Sequence, residues 1–270
     1  MTARSDTRTR GLGSRVPLAL AVPAAVGLVF LVGPLVALLI RTPWGRLPEL
    51  LADPLVAQAL RLSLVAATLA TVLCVLVGVP LAWLLAQPGL PGRSVLRAVV
   101  TVPLVLPPVV GGVALLMLLG RRGLLGAPLL ALTGITIPFS TTAVVLAEAF
   151  VALPFLVLSV EGALRSADRR YEEAAATLGA DRLTVFRRVT VPLVLPGIAA
   201  GAVLAWARAL GEFGATVTFA GSFPGRTQTM PVAVYQALET NPEVALALST
   251  VLLAVSVLVL GLLRDRWLTR

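Results

Sequence analysis

Residues 161–192 read EGALRSADRRYEEAAATLGADRLTVFRRVTVP. This stretch holds six of the 22 arginines and five of the 13 acids, and apolar runs flank it on both sides. A charged segment between apolar runs has to sit in water, so it marks where a bilayer would end. Glu172, Glu173, Ala174, Ala175 and Ala176 are helix formers. The reading starts a helix near Leu164–Ser166 and ends it at Gly179, since glycine suits the residue just past a helix end. Asp181 is placed to N-cap a second short helix through Arg188, and Pro192 is read as its stop. The expected product is a helix–glycine turn–helix outside the bilayer. Its three alanines leave a bare face that another backbone can approach closely, and the charges around them can fix register with a partner. An ordinary solvated loop of mixed charge has the same composition.

Working outward, the 270-residue chain is 58% hydrophobic and 13% charged, with mean hydropathy +0.96. A soluble domain carries about 25% charged residues, so lipid has to be the solvent for most of this surface. A spanning helix needs about 20 apolar residues. Expected spans are Val16–Ile40, Leu62–Ala86, Pro103–Leu119, Thr141–Val160 with Ser140 as N-cap, a fifth beginning near Pro196 with a blurred end, and Val244–Leu263. Residues 1–15 form a polar tail, and residues 16–270 one membrane domain. Val16–Ile40 is too long for a secretory h-region of about 7–15 residues, so it reads as an uncleaved span with kinks at Pro23 and Pro34. Residues 41–60, the Gly- and Pro-rich stretch from Arg121 to Pro138, and residues 221–243 read as loops; residues 87–93 read as a turn. With the N-terminus inside, the cytoplasmic segments collect fifteen arginines and the outer loops six. By the positive-inside rule this places both termini and the 161–192 stretch in the cytoplasm.

The octapeptide VTVPLVLP occurs at 100–107 and again at 189–196. It reads either as a trace of a duplicated half or as local reuse of a good helix-entry sequence.

The chain has no His and no Lys. That excludes His-based general bases and zinc sites, Schiff-base lysines and the GxxxxGK[ST] phosphate loop. The single Cys74 reads as a small core hydrophobe. The +9 net charge is spread between spans and lacks the interleaved aromatics of a nucleic-acid surface, so no nucleic-acid partner is expected.

The spacing of Glu173, Ala174, Ala175 and Gly179, followed by Val189, Val191 and Pro192, resembles the EAA loop of ATP-binding-cassette (ABC) importer permeases. That family favours Ile and Leu where this chain has valines. The resemblance covers the chain from about residue 55 to its end. It implies an all-α, polytopic fold of about six transmembrane helices like the type I importers, in the cell membrane, with both termini cytoplasmic. It also implies that Glu173, Ala174, Ala175, Gly179 and Asp181 couple to a separate ATPase subunit, which would bind ATP and Mg and leave this subunit without a cofactor. A permease homodimer and an extracytoplasmic oxyanion-binding protein are the other implied partners. Within the family, ARALGEFGATVTFAGSFPGRTQTMPVAVYQALE at 207–239 looks like the molybdate branch. The sulfate/thiosulfate branch is the near relative, and tungstate is not separable from molybdate by this route.

Beside the resemblance, Arg208 and Glu212 are four apart on one helix and can pair. Charged groups in a span face a bundle interior or a wet cavity. The pair either lines a pathway, with Arg208 tolerating a tetrahedral dianion, or only fixes packing. Gly211 and Gly214 allow close approach or a helix break, and Glu148 is either buried with a partner or pathway-facing. Residues 221–231 either contact a binding protein or form an uncommitted loop. An ion-coupled secondary transporter would need longer repeats or more relay residues. An intramembrane enzyme would need a nucleophile–base pair, which the absence of His disfavours.

Overall fold

The computed structural model describes residues 18–267; the tail at 1–15 lies outside the described residues. Every regular element among them is a helix. Helix α1 (Leu18–Arg41) runs through Pro23 and Pro34 and belongs to a unit ending at Thr42, with the second unit beginning at Pro43.

The centre of the second unit is α3 (Pro54–Ala86), α7 (Thr141–Ser166) and α10 (Val191–Leu210). Helices in lipid gain little from hydrophobicity, so close packing of small residues has to hold them. The sequence supplies this on α3, where Ala66, Ala70, Cys74, Gly78, Ala82 and Ala86 form a buried stripe at four-residue spacing. Against it α7 sets Ala149, Ala152, Leu156, Val157 and Val160, and α10 sets Val194, Ile198, Ala205 and Ala209. Cys74 is buried as a core residue, and its thiol donates to the Ala149 carbonyl at 3.5 Å. A second cluster joins α7 to α5 (Pro108–Leu119) and α11 (Gly214–Ala220), through Leu115, Val144, Ala147 and Phe219. A third joins α3 to α12 (Met230–Thr240) and α13 (Pro242–Trp267).

Five helical rods are long and apolar enough to cross a membrane. A sixth is α4 (Arg93–Val105) together with α5, bent by 116° at their junction. The expected straight span Pro103–Leu119 is therefore broken. The cause is the tandem Pro107-Pro108, because a proline biases the residue before it away from helical geometry and here two such residues follow one another. Leu106 (ψ 129°) and Pro107 (ψ 131°) are both extended. The second copy of the octapeptide ends in Pro196-Gly197 and stays helical within α10. One sequence thus gives an elbow in one place and a continuous helix in the other, decided by the residue that follows it.

Other boundaries differ for local reasons. Residues 41–60 are not all loop: α2 (Leu47–Leu51) precedes α3, which starts at Pro54 under an Asp53 cap and so takes Arg61 into the helix. The stretch before Pro138 contains α6 (Gly126–Thr133), and residues 221–243 contain α12. Ser140 caps α7 as read, accepting from the Ala143 N–H at 3.2 Å. α7 runs on to Ser166, and the next helix, α8 (Arg170–Thr177), starts later than Leu164–Ser166. Pro192 does not stop the chain either. After α9 (Arg182–Val185), residues Phe186–Thr190 form a π-turn in which the Val191 N–H reaches the Phe186 carbonyl five residues back. This wider turn relieves the clash a proline makes with the preceding turn. Residues from Arg182 to Leu210 therefore form one rod, not a short helix followed by a span from Pro196.

Candidate coupling face and buried charges

The α8–α9 joint is built by turn chemistry. The Gly179 N–H donates to the Ala176 carbonyl at 3.0 Å and the Ala180 N–H to the Ala175 carbonyl at 3.1 Å. These are the paired bonds of a Schellman cap. Gly179 has φ +85°, a left-handed value that glycine adopts without strain. Asp181 then caps α9, accepting from the Thr184 N–H at 2.7 Å. The bonds from the Thr184 side chain and backbone hold the Asp181 carboxyl below its ordinary pKa. A depressed folded-state pKa gives a contribution present above the ordinary carboxylate range and lost as pH falls through the lowered value. The Asp181→Ala variant is therefore expected to exchange the Thr184 amide several-fold faster than the parent at neutral pH, with the two converging in acid. A ratio that stays constant with pH would exclude an ionised cap.

Three contacts hang this joint on the bundle. The Arg169 guanidinium donates to the Ala86 carbonyl at the end of α3 at 3.3 Å. The Thr190 hydroxyl donates to Glu172 at 2.6 Å. Trp83 of α3 meets Phe186 edge-on, with ring centroids 5.5 Å apart. Between the 87–91 turn and α8–α9 lies a cavity of about 690 Å³. Glu173, Ala174 and Ala176 are exposed and Ala175 is half-buried, so much of the bare alanine face is open. The sequence reading passed over three large hydrophobics on this polar segment: Leu178 is 89% exposed, Tyr171 60% and Leu183 55%. The visible signal was a pair of leucines flanking Gly179 in an otherwise charged stretch.

The second group lies at the other end of α10, whose 20 residues span about 30 Å at 1.5 Å per residue. Arg208 pairs with Glu212 at 2.7 Å, and Glu212 is 1% exposed. The other Glu212 oxygen accepts from the Ala215 N–H at 2.8 Å, capping α11. Glu148 of α7 is buried within electrostatic reach of Glu212. Among the described residues, its Oε2 and the buried Thr216 hydroxyl make no hydrogen bond. Gly214 packs against the start of α5, where an added Cβ would lie 3.0 Å from Pro108 Cβ. Gly211 is exposed at the end of α10. The structure thus brings together Arg208, Glu212, Glu148 and Gly214, leaves Gly211 at their edge, and keeps all five far along α10 from Glu173–Asp181.

Residues 78–270 match the family described as binding-protein-dependent transport system inner membrane component. The chain is 55% identical over 239 residues to the molybdenum transport system permease protein ModB of Mycobacterium tuberculosis, covering 88% of this chain and 89% of that one. It is 44% identical over 213 residues to ModB of Escherichia coli K12, covering 79% and 93%. The sulfate transport system permease protein CysT of Salmonella typhimurium is 35% identical over 227 residues, covering 84% and 82%. In fold, the chain resembles a bacterial ABC transporter involved in the import of the acidic polysaccharide alginate. The TM-score is 0.67 at 17% identity, covering 93% of this chain and 95% of that one. With the spans, the water-exposed helix–glycine–helix joint and these likenesses in place, the chain belongs to the inner membrane permease components of binding-protein-dependent ABC transport systems.

Proposed function

We propose that this chain is the membrane permease of an ATP-driven molybdate importer, working as a homodimer with a separate ATPase and an extracytoplasmic oxyanion-binding protein. The observation that carries the reading is the exposed Glu173–Asp181 joint, in a chain that aligns with ModB proteins over most of its length. The subunit moves a substrate without changing its bonds and is not an enzyme. ATP and Mg belong to the ATPase, since a chain without lysine has no phosphate-loop motif of its own. Leu178 and Leu183 on either side of the Gly179 turn supply apolar anchors for docking, and the bare alanines let the partner approach. Movement of the docked joint reaches the bundle through the Arg169, Glu172 and Trp83 contacts and through the continuous Arg182–Leu210 rod. At the far end, Arg208 presents guanidinium donors that fit a tetrahedral oxyanion. Molybdate is preferred to sulfate because the ModB relatives match more closely than CysT does.

The test is co-purification with the ATPase and uptake of labelled molybdate, competed by sulfate and by tungstate. Glu173→Arg and Leu178→Asp, both at exposed positions, are each expected to release the ATPase and strongly cut uptake while the permease still unfolds at the parent temperature. Gly179→Asp should do the same with some loss of stability, because φ +85° strains any side chain there. Transport that persists without any ATPase would overturn the reading in favour of a secondary transporter. Uptake blocked by sulfate but indifferent to molybdate would move the substrate to the sulfate branch.

A further inference from the structure

Glu161, near the end of α7 that leads into α8, is 1% exposed and faces three arginines. Arg93 lies 3.2 Å from its Oε1 and Arg97 3.6 Å from its Oε2, both on α4, and Arg165 lies 3.3 Å from its Oε1. Every ion pair these arginines make among the described residues goes to this one carboxylate. Three positive charges thus meet one negative charge, with the guanidinium-bearing side chains 27%, 47% and 44% exposed. Each guanidinium has five donors, more than one carboxylate can engage.

Beside this corner runs a groove of about 330 Å³ along α4, lined by Ala98, Thr101, Val102, Val105, Leu106 and Pro107. It begins at the residue after Arg97 and ends at the α4–α5 elbow. Thr101, one turn beyond Arg97, returns its hydroxyl to the Arg97 carbonyl at 3.0 Å, so the groove presents little but hydrocarbon. Val95, Val99, Val102 and Val105 on the same helix are exposed.

We infer that this corner binds one anionic phospholipid, with its phosphate on Arg93 and Arg97 and an acyl chain in the α4 groove. The charge excess selects an anion, and a phosphodiester offers the paired acceptors a guanidinium prefers. The apolar groove beginning beside those charges selects an anion with a hydrocarbon tail, because a free oxyanion gains nothing from it. Basic corners between membrane helices are where anionic headgroups bind. The buried Glu161 holds the guanidiniums in place and keeps them from drifting into solution.

The experiment uses the full-length chain in bilayers of phosphatidylcholine with a minority of phosphatidylglycerol, followed by native mass spectrometry of the retained lipid. One phosphatidylglycerol per chain is expected in preference to phosphatidylcholine. Arg97→Gln should weaken its retention about fivefold, and Arg97→Lys should restore most of it. Thr101→Trp, which fills the groove and leaves the charges, should expel the lipid even if Arg97→Gln proves poorly folded. Equal retention of both lipids overturns the site. Displacement of the lipid by inorganic phosphate with no effect of Thr101→Trp makes it a free-oxyanion site and overturns the lipid assignment. A change of oligomeric mass rather than of bound lipid in Thr101→Trp assigns the groove to a second copy and overturns it equally.

Discussion

Replacing Glu212 by alanine is expected to destabilise the chain by roughly 3 kcal/mol. The carboxylate does two jobs. One oxygen holds Arg208 at 2.7 Å and the other accepts from the Ala215 N–H at 2.8 Å. The variant leaves a cation in the bundle without its anion and opens the first turn of α11. Breaking a buried pair by removing one partner costs about 3–5 kcal/mol, and the 26% exposure of the Arg208 side chain places this case at the lower end. Arg208→Gln should also destabilise, because it leaves the buried Glu212 carboxylate without its cation. The Arg208→Gln/Glu212→Gln double variant should recover much of the loss, since no charge is then stranded. Thermal unfolding in detergent reads all three, and a Glu212→Ala chain as stable as the parent would remove the pair from the fold's support. Uptake adds a separate reading. If Arg208 helps the dianion across, Arg208→Gln lowers molybdate uptake per folded complex; unchanged uptake per folded complex would leave the pair only a packing role.

What could be read from the sequence divides by distance along the chain. The Gly179 turn, the Asp181 and Ser140 caps and the Arg208–Glu212 pair each rest on residues within four positions, and each stands where it was read. The elbow at Leu106–Pro107 was equally local, but it needed Pro107-Pro108 to be weighed as a tandem rather than as one more helix-entry proline. Pro192 misled for the opposite reason: it reads as a stop, but the π-turn ahead of it lets the rod continue through it. α12 was hidden because its apolar run, MPVAVY at 230–235, is short and lies between polar residues. Only the Arg165 side of the Glu161 cluster, four positions on, was within local reach. The Arg93 partner of Glu161 is 68 positions away, and only packing of α4 on α7 brings the two together.

Replacing Gly112 by valine is expected to destabilise the chain by about 3 kcal/mol, the upper end of the usual overpacking penalty. Gly112 is buried on α5 where that helix meets α11. A Cβ there would lie 2.7 Å from Thr218 Cβ, 2.8 Å from the Ala215 carbonyl oxygen and 3.1 Å from Ala215 Cα. Two of those atoms are backbone, so no rotamer change relieves the contact. α11 cannot retreat easily either. Glu212 caps its start, and the Phe139 N–H reaches the Phe219 carbonyl near its end at 3.5 Å. Gly78 provides the contrast, because its added Cβ would first meet the tip of the Leu156 side chain at 2.6 Å, and a flexible tip can move. Among the described residues nothing lies within 4 Å of a Cβ added at Gly162, and alanine there should be neutral or stabilising by up to about 1 kcal/mol through helix propensity. The expected order of unfolding temperatures is Gly162→Ala highest, then Gly78→Ala, then Gly112→Ala, with Gly112→Val lowest. If Gly112→Ala proved as stable as Gly162→Ala, the backbone contact between α5 and α11 would not be what joins the elbow to α7.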